Sequence, residues 1–337
     1  MLSLKGLELS PVPPLALKRR AKLCRACGTG ALPSALRTVP ANSHAEARRA
    51  VASLVSVLFA AAFIVVLLAP PALAQEKPYF VTYSQDMEEP GNLDIENFSV
   101  VGNPTQGNAF IGSDVELEYG LKTWWTTEFY LDGQATSSES TIFTGFRWEN
   151  RFRPWLGEHR VNPVLYAEFE DINAADRTLR EVVGNDGAPD FLVPNNIARL
   201  DKQRELELKL ILGSNVHGWN FSENFISEKN FDDSFWEFGY ALGVSRPLQL
   251  AANARECVFC REKWTAGVEM YGGLGTTDSF GTHLTSQYLG PTINWTAPNG
   301  MTIAMSPQFG LNSYSVPMLF RFGVSYEIQD LFSHFHK

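Results

Sequence analysis

Beyond its first 74 residues the chain has little of what most functional classes need. Only two of its four cysteines remain, Cys257 and Cys260, and the whole sequence holds six histidines. Of 28 basic and 37 acidic residues, nine and two fall in 1–74, so 19 and 35 follow and the formal charge moves from −9 to −16. A nucleic-acid surface needs a basic stripe, and that class is excluded. After residue 68 there is also no apolar run approaching the roughly 20 residues of a membrane helix. A helical inner-membrane transporter is thereby excluded, and any crossing of a membrane must be made by a closed sheet with every backbone group paired.

The one long apolar run, 51–68, follows Arg48 and Arg49 and precedes Pro70, Pro71 and Ala72-Leu73-Ala74. It reads as a secretory signal peptide over 46–74, cut before Gln75, with an uncleaved membrane helix as the alternative. Residues 1–45 carry Lys18, Arg19, Arg20, Lys22 and Arg25 without periodicity, and read as a disordered leader or a start site assigned too far upstream. Residues 75–90 read as an N-terminal periplasmic segment, 91–328 as the folded body and 329–337 as a tail.

What is abundant is alternation. From Val115 to Ile328, runs of about ten residues place apolar or aromatic side chains at every second position and polar ones between, the pattern of a membrane-spanning β-barrel. In the last run Phe320, Phe322, Val324, Tyr326 and Ile328 share one face of an extended strand, and Arg321, Gly323, Ser325 and Glu327 the other. The fold class expected is all-β, a transmembrane antiparallel barrel of twelve strands. They are placed at 93–101, 113–120, 123–134, 141–153, 163–171, 204–213, 219–227, 235–245, 264–273, 285–295, 301–309 and 318–328. An even count suits a single-chain outer-membrane barrel. Connections alternate short and long, with inner turns at 121–122, 154–162, 214–218, 247–263 and 297–300 and an outer loop at 173–203. The connection around Cys257 is long for an inner one. The first strand alternates poorly, and Glu223 falls on the apolar side set by Trp219, Phe221 and Phe225, which a bulge would repair. The eight tryptophans sit mostly near strand ends, where interfacial girdles belong.

The final strand resembles the C-terminal assembly signal of bacterial outer-membrane proteins, although a tail follows it here. Val115-Glu116-Leu117-Glu118-Tyr119-Gly120-Leu121, followed by Lys122, Thr123 and Trp124, resembles the E-x-Y-G-L-T-D-R turn of a family of bacterial outer-membrane barrels associated with a MetA pathway of phenol degradation. This chain has Lys-Thr-Trp where that family often has Thr-Asp-Arg. The resemblance implies a barrel that passes small, often aromatic, compounds, and it brings no catalytic residues.

The side expected to face the lumen is rich in charge. Asp114, Glu116, Glu118, Glu128, Asp132, Glu149, Glu168, Glu170, Glu205, Glu207, Glu237 and Glu269 stand against Arg147, Arg151, Arg153, Lys209 and Arg321. These charges can form a transverse field that selects solutes, with the arginines of the fourth strand between acidic rows of the third and fifth, or an ion network that fills a narrow lumen. Cys257 and Cys260, in Cys-Val-Phe-Cys, point to a local disulfide in an oxidising compartment; a redox pair or a metal site are the alternatives. His217 near Ser214 and Ser222, and His283 near Ser279 and Ser286, offer Ser-His pairs without a recognisable motif, so no enzyme, cofactor or metal site is expected. The expectation is a channel in the outer membrane of a Gram-negative bacterium that passes small solutes through a charged lumen. The alternative is a plugged structural or ligand-binding barrel that uses its long outer loop. Lipid, the barrel-assembly machinery and small solutes are the expected partners, and nucleic acid is not.

Overall fold

A computed structural model describes residues 77–251 and 257–331; the leader and signal peptide expected at 1–74 lie outside these, as does most of the tail. Twelve strands form among the described residues: β1 (Leu93–Gly102), β2 (Phe110–Lys122), β3 (Trp125–Thr136), β4 (Thr141–Phe152), β5 (Asn162–Asn173), β6 (Lys202–Val216), β7 (Trp219–Asn230), β8 (Glu237–Pro247), β9 (Trp264–Thr276), β10 (Gln287–Thr296), β11 (Met301–Gly310) and β12 (Met318–Ile328). Each pairs antiparallel with its sequence neighbour, and β1 pairs with β12, which closes the barrel. Closure removes both sheet edges, so no strand presents unpaired backbone to lipid.

Alternation sorts the side chains as the period of two requires. In β2, Val115 and Leu117 are exposed on the outside, and Asp114, Glu116 and Glu118 are buried inside. In β12, Phe320 and Phe322 point out and Arg321 points in. Even β1, irregular in sequence, alternates: Asp94 and Glu96 are buried inside, while the outward Asn97 and Ser99 bond Ser113 of β2 at 3.1 and 2.9 Å. These outward polar groups thus satisfy one another across the strand pair. No bulge accommodates Glu223. It stays exposed on the outer face, with Leu212 and Leu242 as its partners in an unbroken register.

The two mouths differ. One carries the short turns 123–124 and 217–218 together with the longer connections 153–161, 248–263 and 297–300. Trp124, Trp125, Trp155, Trp219, Trp264 and Trp295 gather there, with Trp124 and Trp125 stacked at 6.0 Å and Trp264 and Trp295 6.3 Å apart. Trp148 lies along β4 and Trp236 at the opposite mouth. Cys257 and Cys260 lie in 248–263 with their Cα atoms 5.4 Å apart.

The opposite mouth carries 174–201, and this connection does not simply project outward. Ala175, Arg177, Thr178, Arg180, Val182 and Val183 are buried, and only afterwards does the chain emerge through a 3-10 turn at Ala188–Leu192 and one helical turn at Asn195–Ala198. Residues 77–90, read from sequence as a segment outside the barrel, run through its interior instead. Tyr79, Phe80, Val81, Thr82, Ser84, Gln85, Met87 and Glu88 are all buried. The polar lumen accounts for both insertions, since a narrow barrel must fill its interior with something that pairs the charges on its wall.

Candidate functional site

The interior of the barrel is the candidate site, and its wall is built from strand register. Directly opposed pairs run Glu327↔Asp94, Asp94↔Glu118, Glu118↔Glu128, Glu128↔Glu149, Glu149↔Glu168, Glu168↔Glu207, Glu207↔Glu228 and Glu228↔Glu237. This is one continuous row of carboxylates across nine neighbouring strands. A row perpendicular to tilted strands climbs the barrel, so it begins at the short-turn mouth, where Glu327 and Asp94 lie, and ends at the long-loop mouth, at the first residue of β8. Like charges set directly opposite one another are destabilising. A ramp of this length therefore needs cations.

Part of the supply is on the wall. Arg147 of β4 reaches Asp132 of β3 at 2.9 Å and Glu170 of β5 at 3.0 Å, with Glu168 at 3.6 Å. Arg151 engages Glu118, Glu128 and, at 3.2 Å, Glu149. Lys209 Nζ lies 2.6 Å from Glu207 as an ion pair and over the Tyr166 ring at 4.2 Å. Arg321 stands apart from the acidic side: its guanidinium meets Tyr271 Oη at 3.2 Å and donates to the Leu179 carbonyl at 2.7 Å. Arg153 is the predicted site residue that leaves the wall. It follows the end of β4 and donates to the Gly157 carbonyl at 2.8 Å, tying the rim turn 153–161. Glu205 accepts from Asn230 at 2.7 Å, and Glu168 from Tyr166 Oη at 2.9 Å.

The two inserted segments supply the rest. Lys77 Nζ lies 2.8, 2.7 and 2.6 Å from Glu96, Glu116 and Glu118. Burial alone would push this ammonium down, but Glu116, Glu118, Glu96 and Glu128 outweigh it and hold the group well above its ordinary value. Arg180, from the long connection, bonds Glu116 at 2.5 Å and lies over the Tyr130 ring at 4.4 Å. Burial opposes its charge as well, and Asp114, Tyr130 and Glu116 overcome that and raise it. Glu181 accepts from Arg147 at 2.7 Å.

Residues 77–90 cross the lumen from wall to wall. Glu269 of β9 accepts the backbone N–H groups of Phe80, Val81 and Thr82 at 3.2, 2.9 and 3.0 Å. Asn224 of β7 accepts from the Tyr83 N–H at 2.6 Å and donates to the Tyr83 carbonyl at 2.9 Å. Tyr83 Oη donates to Glu149 at 2.9 Å. The wall is bare where the segment lies closest: a Cβ on Gly243 would stand 2.5 Å from the Tyr79 ring, and one on Gly213 would collide with Gln85. Near its exit, Glu88 is pushed up to about 8 by burial and by Glu118, Glu327 and Asp94. A cavity of about 40 Å3 beside Lys77, Tyr83, Glu116 and Arg151 leaves room for a few waters.

The wall opposite is apolar. Val100, Phe110, Ala241, Tyr271, Tyr288, Ala304 and Leu319 form one cluster with Phe80 and Val81 of the N-terminal segment and Val182 of the long connection. Tyr271 and Tyr288 stack at 5.3 Å. The lumen is thus amphipathic, mainly acidic along β1–β7 and mainly apolar and aromatic toward β8–β12.

Sequence reasoning missed Lys77 and Tyr83 and gave Arg180 and Glu181 only as charges of the outer loop, because all four lie outside the strands. The signal that could have found them was the imbalance on the wall, where the lumenal acids of β1–β3 outnumber the basic residues able to face them. Three of the serines in the Ser-His pairs offered by the sequence direct their hydroxyls elsewhere: Ser214 donates to the Arg160 carbonyl at 2.6 Å, Ser222 to Asn220 at 2.8 Å and Ser286 to the Tyr314 carbonyl at 2.9 Å.

No family profile matches this chain, and no curated protein matches it in sequence. Among solved structures it is similar to the KdgM porin, with 6% identity, 69% of this chain and 98% of that chain covered, and a TM-score of 0.40. It is similar to an outer-membrane channel from Pseudomonas putida F1, with 10% identity, 75% and 100% covered, and a TM-score of 0.47. The NanC porin gives 10% identity, 70% and 100% covered, and a TM-score of 0.40.

Proposed function

We propose that this barrel is an outer-membrane channel for small solutes, and that residues 77–90 close it. The observation that carries this reading is the way the closing segment is held. It is seated by side-chain hydrogen bonds, ion pairs and the packing of Phe80 and Val81, with a single isolated bridge, Pro90↔Gly120, joining it to the sheet. A segment held in this way can leave without unpairing the barrel, whereas a strand cannot. The lumen left behind would have a charged wall and an aromatic wall, which suits small amphipathic solutes. The resemblance of 115–124 to the barrels associated with phenol degradation agrees with aromatic ones. The apolar outer belt suits lipid, and the signal peptide at 46–74 would bring the chain to the assembly machinery. In that oxidising setting Cys257 and Cys260 form a disulfide that stiffens the connection 248–263, and mass measurement with and without reductant tests it.

Planar-bilayer recording tests the function. The full barrel is expected to open rarely, a variant lacking residues 77–90 to conduct steadily, and Arg151→Ala in that variant to shift selectivity further toward cations. If the shortened barrel stays silent, the two insertions are a permanent filling and the plugged alternative takes the place of this reading.

A further inference from the structure

Glu170 of β5, Glu181 of the long connection, Glu207 of β6 and Glu228 of β7 converge near the long-loop mouth, each with a carboxylate oxygen within 4.8 Å of the others'. Oxygens on opposite sides of one calcium ion, bound at about 2.3–2.6 Å, lie about 4.6–5.2 Å apart, so the four fit a single coordination shell. Glu228 supplies the second, independent observation. It is 5% exposed, its carboxylate has no donor among the described residues, and it faces Glu207 directly across the β6–β7 pair. The other three keep free oxygens too. Glu170 and Glu181 share Arg147 at 3.0 and 2.7 Å, and Glu207 has Lys209 at 2.6 Å, yet one oxygen of each remains buried without a hydrogen bond or ion pair.

The remaining acidic cluster of the lumen makes the contrast. There Glu96, Glu116 and Glu118 surround Lys77 Nζ within 2.8 Å, so an ammonium neutralises them from the centre. At Glu228 no side chain among the described residues plays that part. Arg147 and Lys209 balance two charges, while Glu168 and Glu205 stand nearby and add two more.

We propose that Glu170, Glu181, Glu207 and Glu228 bind a divalent cation of the hard, oxygen-seeking kind, with calcium as the probe ion. The ion ties the inserted part of the long connection, through Glu181, to three strands of the wall. The site stands whether or not the lumen conducts, because it requires only the closed barrel and the inserted loop.

The test uses the full barrel in a non-ionic detergent with calcium chloride at pH 7.5, followed by titration calorimetry and by thermal melting with calcium or with chelator. One saturable site is expected, together with a rise in melting temperature on adding calcium. Glu228→Gln and Glu181→Gln are each expected to weaken binding by about 10–100-fold and to abolish the calcium-dependent rise. Both variants should fold, since each removes a negative charge from a crowded acidic site, and a heat-modifiable gel band checks that they do. Glu96→Gln, at the Lys77 cluster, should leave calcium binding unchanged. Absence of saturable binding at millimolar calcium, as protonated or water-bridged carboxyls would give, overturns the proposal, and so does binding that Glu228→Gln leaves intact.

Discussion

At the scale of single residues the lumen is governed by who neutralises whom. Arg147 lies within ion-pair range of Asp132, Glu168, Glu170, Asp176 and Glu181. Removing it strands several buried carboxylates at once, so Arg147→Ala is expected to destabilise the barrel by about 3–5 kcal/mol, read by urea unfolding in lipid. Glu269 offers a subtler case. Its loss leaves three buried N–H groups of the closing segment without an acceptor. Glu269→Ala should therefore weaken seating by about 2–3 kcal/mol, with faster amide exchange confined to residues 80–82. The wall residues of both predictions were legible in sequence, because period-two alternation assigns Arg147 and Glu269 to the lumenal faces of their strands once these are drawn. Lys77 and Arg180 were not, because a residue outside a strand has no register to read.

At the scale of elements, the strands follow from alternation to within a few residues, but the route of the connections does not. The connection 174–201 holds Val182, and the segment 77–90 holds Phe80 and Val81, which pack on a lumen wall whose own apolar residues come from seven strands. Such a surface exists only after closure, so no local pattern announces it. Glycine placement is the cleanest handle on the closing segment. Gly243→Val would push the Tyr79 ring off β8 without altering any charge. It is expected to raise open probability in bilayers, while the heat-modifiable gel band stays that of a folded barrel. Acidity offers a second handle. Glu88 is raised to about 8 when the segment is seated, so the seated state holds its proton more tightly than the free one. Seating is then strongest below about 4.5 and weakens as pH rises from there through about 8. Channel openings should accordingly be more frequent at pH 8 than at pH 5, and Glu88→Gln should reduce that difference, with Asp86, raised by burial in the same segment, keeping part of it. Lys77, held above its ordinary value, stays charged throughout this window and does not oppose the trend.

At the scale of the whole molecule, one surface faces outward and is apolar, and the other encloses the ramp of carboxylates. An inside-out distribution of this kind has no stable form in water. The described body should therefore require detergent to remain monodisperse, and should migrate differently on gels before and after boiling. An unchanged mobility would mean that the barrel does not close through β1 and β12. The ramp itself was half visible, in that the acidic residues were evident as lumenal while their alignment was not. Alignment depends on pairing register across nine strands, which shifts at Gly120/Lys122 and Asp132/Gly133.

The closing segment enters β1 through Pro90, Gly91 and Asn92, where the Gly91 N–H bonds the Gly120 carbonyl at 2.8 Å and Asn92 bonds Glu327 at 2.5 Å. Under the proposed function, that anchorage makes the segment a leashed stopper. Once expelled, it can wander no further than its own contour, about 45–50 Å for residues 77–90 at full stretch. Its local concentration at the vacated seat stays near the millimolar range. Resealing should thus follow first-order kinetics indifferent to protein dilution, and a free peptide of the same sequence should compete only when supplied at millimolar levels.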